Sequence, residues 1–438
     1  MKKQLVVLGA AAIIAAAAVP ALAFENEFHG MYRFLGYESN FFNGFGGNLQ
    51  KDAHSGWSAE QRARIQYIAK ANDDLKLVTQ FELDARFGGV PGGYKGTTGN
   101  DSGNLDADQL TLETKNVYVD FNCPITGTNV KVGIQPWADS YQSLFLLADA
   151  SGIIAKKGFG PVTASLGWFR LADNTAKTTA EPGQMAADMI VVDGKFALSK
   201  DITLGASYYN IQNDTGPALT SFELLHMIGV NADIKVGPAT IKPFAAYQFG
   251  DYKPKTDISA YGLGVTGNVK VAAAGKVNFA AVYLSGDKNT ATGDAEGWLN
   301  VSDTTTYFNA ANMWLILPSG QGISSLTSVV GRDINNGDRG LMGLFVGFDG
   351  TAGKVFYNAN LGYTQTAEER GSEDGTIGTE INAQVGYKLY DNLSVSAAAA
   401  YAILGDGMNS TNAATRLPNG RSDADDPWAL ITQVSYTF

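Results

Sequence analysis

Ionic side chains recur at alternate positions around one short turn. Glu60, Arg62 and Arg64 precede the tight-turn composition Ala71-Asn72-Asp73-Asp74, and Lys76, Glu82, Asp84 and Arg86 follow it. Arg33 upstream and Lys131 downstream sit in similar alternating stretches. Cations interleaved with carboxylates on one face can pair, focus a field and sort ions by sign. Nothing nearby has the makings of nucleophilic or metal chemistry. The three histidines, His29, His54 and His226, are far apart, and Cys123 is the single cysteine, too few for a disulfide or a thiolate metal cluster. Gly-x-Ser-x-Gly and Walker-type patterns are absent, as is a C-x-x-C-H haem site. Gly262-Leu263-Gly264-Val265-Thr266-Gly267 fits a dinucleotide-binding string, but it lies inside a strand-like stretch with no helix after it.

The charges are positioned by a two-residue rhythm. From Trp57 the apolar set runs Trp57, Ala59, Ala63, Ile65, Tyr67 and Ala69, with polar residues between. After the turn Leu75, Leu77, Phe81, Leu83, Ala85 and Phe87 continue it. A period of two places alternate side chains on opposite faces of a strand. Soluble strands average about 5–6 residues, and these are longer. A tilted strand crossing a bilayer needs roughly 9–11 residues with one apolar and one polar face.

Residues 1–23 read as a secretion leader. Lys2 and Lys3 precede an apolar run over 5–19, and Ala21-Leu22-Ala23 forms a small-x-small cleavage site, so the processed chain starts at Phe24. No later apolar run is long enough for a spanning helix. Removing the leader leaves 30 basic against 43 acidic side chains, a formal charge of −13, which argues against a nucleic-acid partner. Glycine is abundant at 51 residues, charged residues are only 17%, and the composition does not shift along the chain. One closed domain over 24–438 suits that uniformity.

Connections alternate between two kinds. Short turns fall near residues 72, 125, 160, 200, 238, 274, 351 and 391. Long polar loops fall at 38–56, 88–109, 137–150, 172–187, 213–222, 251–258, 286–339, 365–378 and 405–427. Eight turns and nine loops join eighteen strands, with sixteen as the alternative count. The expected fold is an all-β transmembrane antiparallel barrel with short periplasmic turns and long extracellular loops. Closure leaves no unpaired edge in lipid. Tyr37, Trp57, Phe87, Trp168, Tyr208, Tyr247, Tyr283, Tyr363, Tyr401 and Trp428 fall near strand ends, as an interfacial girdle would.

The ionic face then belongs to the lumen, because an Arg or Lys in midplane lipid costs roughly 2–4 kcal/mol. Arg33, Glu60, Arg62, Arg64, Lys76, Glu82, Asp84, Arg86 and Lys131 are the expected pore-lining residues. A barrel this wide needs inward loops to narrow it. Two segments qualify. One is 139–149, with Asp139 and Asp149 at the ends of an apolar patch; the other is 286–339, with Met313-Trp314-Leu315-Ile316-Leu317. The second could instead form a further hairpin.

The processed chain resembles the general porins of Gram-negative outer membranes. The resemblance rests on the Ala21-Leu22-Ala23 leader end, the Gln61-Arg62-Ala63-Arg64 strand, Val130-Lys131-Val132-Gly133-Ile134-Gln135, and the terminal Val434-Ser435-Tyr436-Thr437-Phe438. It implies an outer-membrane homotrimer, bathed in lipid and lipopolysaccharide, that passes small hydrophilic solutes by diffusion and has neither enzymatic activity nor cofactor. The chain departs from that family in lacking a Pro-Glu-Phe-Gly-like constriction motif. A barrel sheath around a multihaem electron carrier is the alternative reading.

Overall fold

The computed structural model of the chain describes residues 24–438 apart from 43–46, 90–102, 104, 106–111, 176–184, 216–221, 253–255, 290–292, 302–307, 319–327 and 332–333. The proposed leader, residues 1–23, lies outside the described residues.

Eighteen strands form one sheet in which each pairs antiparallel with its chain neighbours, and β1 (Glu25–Ser39) pairs with β18 (Trp428–Thr437) to close the ring. Closure satisfies the backbone of every strand without an open edge. The strands that carry the charges are β2 (Gly56–Asn72), β3 (Leu75–Arg86), β4 (Glu113–Asn122) and β5 (Asn129–Ala138). Next come β6 (Leu147–Phe159), β7 (Val162–Asp173), β8 (Ala186–Ala197), β9 (Ile202–Asn213), β10 (Phe222–Val236), β11 (Ala239–Tyr252), β12 (Thr256–Val271) and β13 (Gly275–Leu284). The ring is completed by β14 (Leu341–Ala352), β15 (Val355–Gln365), β16 (Thr376–Tyr390) and β17 (Leu393–Leu404). The count is the eighteen expected from turn and loop alternation, and not sixteen.

Side chains sort by parity. On β15 the outward positions Leu361 and Tyr363 are exposed while Asn360 and Thr364 are buried; on β16 Ile381 and Val385 are exposed while Glu380 and Asn382 are buried. An apolar outer face over a polar inner one is the pattern of a barrel whose solvent outside is lipid. Sequence alternation therefore sets the register, because a one-residue slip would turn every ionic group outward. The short turns use backbone shapes that favour glycine, as at Gly237 (φ +55°) between β10 and β11.

Two details differ from the sequence reading. Strand β6 begins at Leu147, so the loop before it spans only 139–146. Tyr37 is not at the girdle: it faces inward and is 2% exposed, because its parity is that of Arg33 and not of Phe34. Trp57, Phe87, Trp168, Tyr247, Tyr363 and Tyr401 are exposed on the outer face. No further strand forms within 286–339 among the described residues.

Both long inward segments fold into the barrel and build an apolar core there. Tyr141, Leu144, Phe145 and Leu146 from the first loop are buried with Trp298, Phe308, Met313, Trp314, Leu315, Ile316 and Leu317 from the second. The loops touch: the Trp298 indole N–H donates to the Leu144 carbonyl at 3.1 Å, and the Val301 N–H to the Phe145 carbonyl at 2.9 Å. The wall makes room for them with glycine. A Cβ at Gly229 would strike the Tyr141 ring, and one at Gly262 would come within 2.9 Å of the Trp298 ring. Gly262 and Gly264 of the nucleotide-binding-like string are thus packing positions in β12, inside a strand as its sequence context indicated.

Candidate functional site

The candidate site is the inner face of β1–β5 together with the anchors of the inward loops. The cross-strand register sets Arg62 opposite Asp84, Arg64 opposite Glu82 and Glu60 opposite Arg86, with Arg33 opposite Arg62 on the other side. Directly opposed opposite charges stabilise a strand pair. Arg62 meets Asp84 through two parallel bonds of 2.7 Å and reaches Glu82 at 3.1 Å. The Arg64 guanidinium also pairs with Glu82. This fork-to-carboxylate geometry fixes the planes of both groups. Lys76 lies 3.6 Å from Asp120, and the Lys131 ammonium stands 5.3 Å over the Tyr118 ring.

By cross-strand register the nine expected wall residues share the inward face, on β1, β2, β3 and β5. The structure changes their character. The sequence showed cations interleaved with carboxylates; the register makes them a compensated lattice in which Glu82 and Asp84 neutralise Arg62 and Arg64. The pairing partners are 18 to 22 residues apart and meet only through the hairpin.

The two loop acids have different fates. Asp139 is 8% exposed and does not present its charge to the lumen. Its carboxylate accepts the N–H groups of Tyr141 (2.6 Å), Ser143 (2.9 Å), Phe145 (2.8 Å) and Leu146 (2.7 Å). Those bonds hold a loop in which Gln142 and Ser143 both take left-handed φ of 64°, a costly pair for non-glycine residues. Burial pushes the Asp139 carboxyl above the ordinary carboxylate range, against the pull of those four donors. The neighbouring Tyr141 phenol is pushed up to about 12 by burial and donates or accepts a bond with Ser207 of β9. Asp149 instead belongs to β6 and pairs with Lys115 at 2.8 Å, outside the inward loop.

Glu380 on β16 was not singled out by the sequence reading and is the second loop's counterpart to Asp139. It is fully buried. Its two oxygens accept the N–H groups of Trp314 (2.7 Å), Leu315 (2.9 Å) and Ile316 (2.8 Å), and the Asn382 amide donates to it at 3.0 Å. Gln248 on β11 grips the same loop by both backbone groups of Leu299, at 2.6 and 2.9 Å. At the outer end Arg339 forms a two-bond clamp with Glu373, at 2.7 and 2.6 Å. Burial raises the Glu373 carboxyl, yet the hydrogen bonds and charge of Arg339 carry it below its usual range. A signal for Glu380 did exist in the sequence: an acid at a lumen-parity position in a strand whose one other charge, Lys388, lies near its far end.

No group of His, Cys, Asp and Glu suited to a metal occurs among the described residues. His226 stacks between Tyr208 and Phe249 on the outer face, and Cys123 sits in a short turn. Side chains of the two inward loops fill part of the lumen, and nothing in the structure supports the sheath around a haem protein.

No family model matches this chain, and neither does any curated protein. Solved outer-membrane channels do match in fold. A BenF-like porin from Pseudomonas fluorescens is 13% identical, with 94% of this chain and 98% of that one covered at a TM-score of 0.56. OccAB4 from Acinetobacter baumannii is 13% identical, with 96% and 100% covered at 0.55. The outer membrane protein OpdK from Pseudomonas aeruginosa is 12% identical, with 94% and 98% covered at 0.55. None of these names is that of a trimeric general porin. The fold of this chain is that of the multi-pass barrels of Gram-negative outer membranes.

Proposed function

We propose that the protein is an outer-membrane porin that lets small hydrophilic solutes and ions diffuse through its lumen. The observation that carries this reading is the placement of ionic and amide side chains on the inward face of a closed ring whose outward face is apolar. The inward loops narrow the bore against β8–β17, and the β1–β5 lattice faces what remains of it. Charged side chains in a narrow water path set which ions pass and how fast. Lipid and lipopolysaccharide cover the outside. Residues 1–23 direct export, and the processed chain begins at Phe24.

The test is ion current through purified protein in a planar bilayer, with reversal potentials in a salt gradient. Discrete conductance steps support the channel. Absence of current from protein shown by circular dichroism to be folded overturns it. N-terminal sequencing of outer-membrane material checks the start at Phe24, and its mass in detergent reads the homotrimer that the sequence resemblance implies.

A further inference from the structure

Below the inward 3-10 turn Asn309–Ala311, toward the short-turn end, the lumen holds a cavity of about 550 Å³. Its wall comes from β11–β15, away from the β1–β5 lattice. Asn268, Asn309, Asn312, Asn358 and Asn360 line it, with Phe345 and Phe356 beside them. Its ions are already matched. Lys276 pairs with Asp349 at 3.1 Å, Asn278 donates to the same carboxylate at 2.8 Å, and Lys242 pairs with Asp233 at 2.9 Å.

We propose that this cavity is a binding subsite for uncharged polyhydroxylated solutes, of the saccharide class. The inference rests on the channel reading above and names what the channel favours. A carboxamide offers two donors and an accepting oxygen. Asn360 donates to Asn358 at 2.9 Å and to Asn382, and Asn358 donates to Gln384, so Asn268 and Asn309 are the amides that meet hydroxyl groups able both to donate and to accept. A charged solute entering here would lose water and find no uncompensated partner of opposite sign. Phenylalanine rings supply the apolar faces against which the C–H side of a sugar ring lies. Orienting polar groups beside apolar lining is the usual make-up of small-molecule sites, whose volumes run roughly 300–1,000 Å³, and this one suits roughly a disaccharide.

The experiment is single-channel current in a planar bilayer, with maltose or, separately, glutamate added on the short-turn side. Maltose is expected to reduce the current saturably, and glutamate only in proportion to its bulk effect. Asn268→Leu and Asn309→Leu each remove one amide and should raise the half-blocking maltose concentration roughly three- to tenfold, the worth of one neutral hydrogen bond. Their current in salt alone checks that they fold. A linear, viscosity-like response to maltose overturns the proposal, and so does saturable block by glutamate as strong as by maltose. These comparisons use the unaltered protein, so they stand even where a variant fails to fold. Absence of any current is a different result: it refutes the channel reading itself.

Discussion

Glu380→Ala is the most direct test of how the barrel holds its contents. The substitution removes the acceptor for three buried N–H groups, those of Trp314, Leu315 and Ile316. A buried donor left unsatisfied costs about 1–3 kcal/mol, so the sum is about 3–9 kcal/mol if the loop stays in place. The loop need not stay. Once opening into water costs less than that sum, the 309–317 segment leaves the wall and the observable loss is capped at the loop's own opening free energy. The ring, held by its strand ladders, should persist. Glu380→Gln should do less. One of its two accepting oxygens remains and can serve Leu315 and Ile316, while the other position becomes a donor facing the Trp314 N–H. The expected order of open-channel current is therefore Ala above Gln above the unaltered protein. Limited proteolysis within 286–339 should follow the same order, with the barrel's heat-dependent gel shift unchanged. Equal current and equal protease resistance in all three proteins would refute the assignment of Glu380 as the anchor.

Three further outcomes follow from the same geometry. Reversing Arg62 and Arg64 to glutamate removes the guanidinium partners of Glu82 and Asp84 and leaves Glu82 only the more distant Lys115 at 4.0 Å, so reversal potentials in a salt gradient should move toward cation selectivity; unchanged potentials would remove these residues from the conduction path. The Arg339–Glu373 clamp is acid-labile: with the carboxyl held low in the folded state, its contribution is complete above the unfolded carboxyl range and is lost as pH falls through the depressed value. Protease sensitivity near residues 339 and 373 should rise on acidification in the native protein, and Glu373→Gln should show the loosened state at neutral pH with that acid step removed. Finally, Leu361→Arg places a cation on the outer face at the middle of β15 and should lower unfolding stability in lipid by about 2–4 kcal/mol, read from the urea midpoint of vesicle-inserted protein.

The strand plan was written in the chain. Alternation of period two, glycine-bearing turns and the alternation of short with long connections were enough for eighteen strands, because each is a local constraint that lipid makes strict: a slipped register would put Arg62 or Glu380 against acyl chains. Even the run Ala397-Ala398-Ala399-Ala400, a good helix sequence by propensity, pairs as β17 between β16 and β18, since only ladder bonding satisfies its backbone in that wall. What the chain did not disclose were meetings across the bore. Tyr37 turned inward because two parities both carry apolar residues near that strand end. The wall cations proved to be neutralised because their carboxylates arrive from the neighbouring strand. Asp139 and Glu380 became anchors through N–H groups, in Glu380's case 64 to 66 residues away. Such contacts depend on where a loop lands inside a closed ring, and only tertiary structure decides that, because no periodicity encodes the three-dimensional position of a segment that has none.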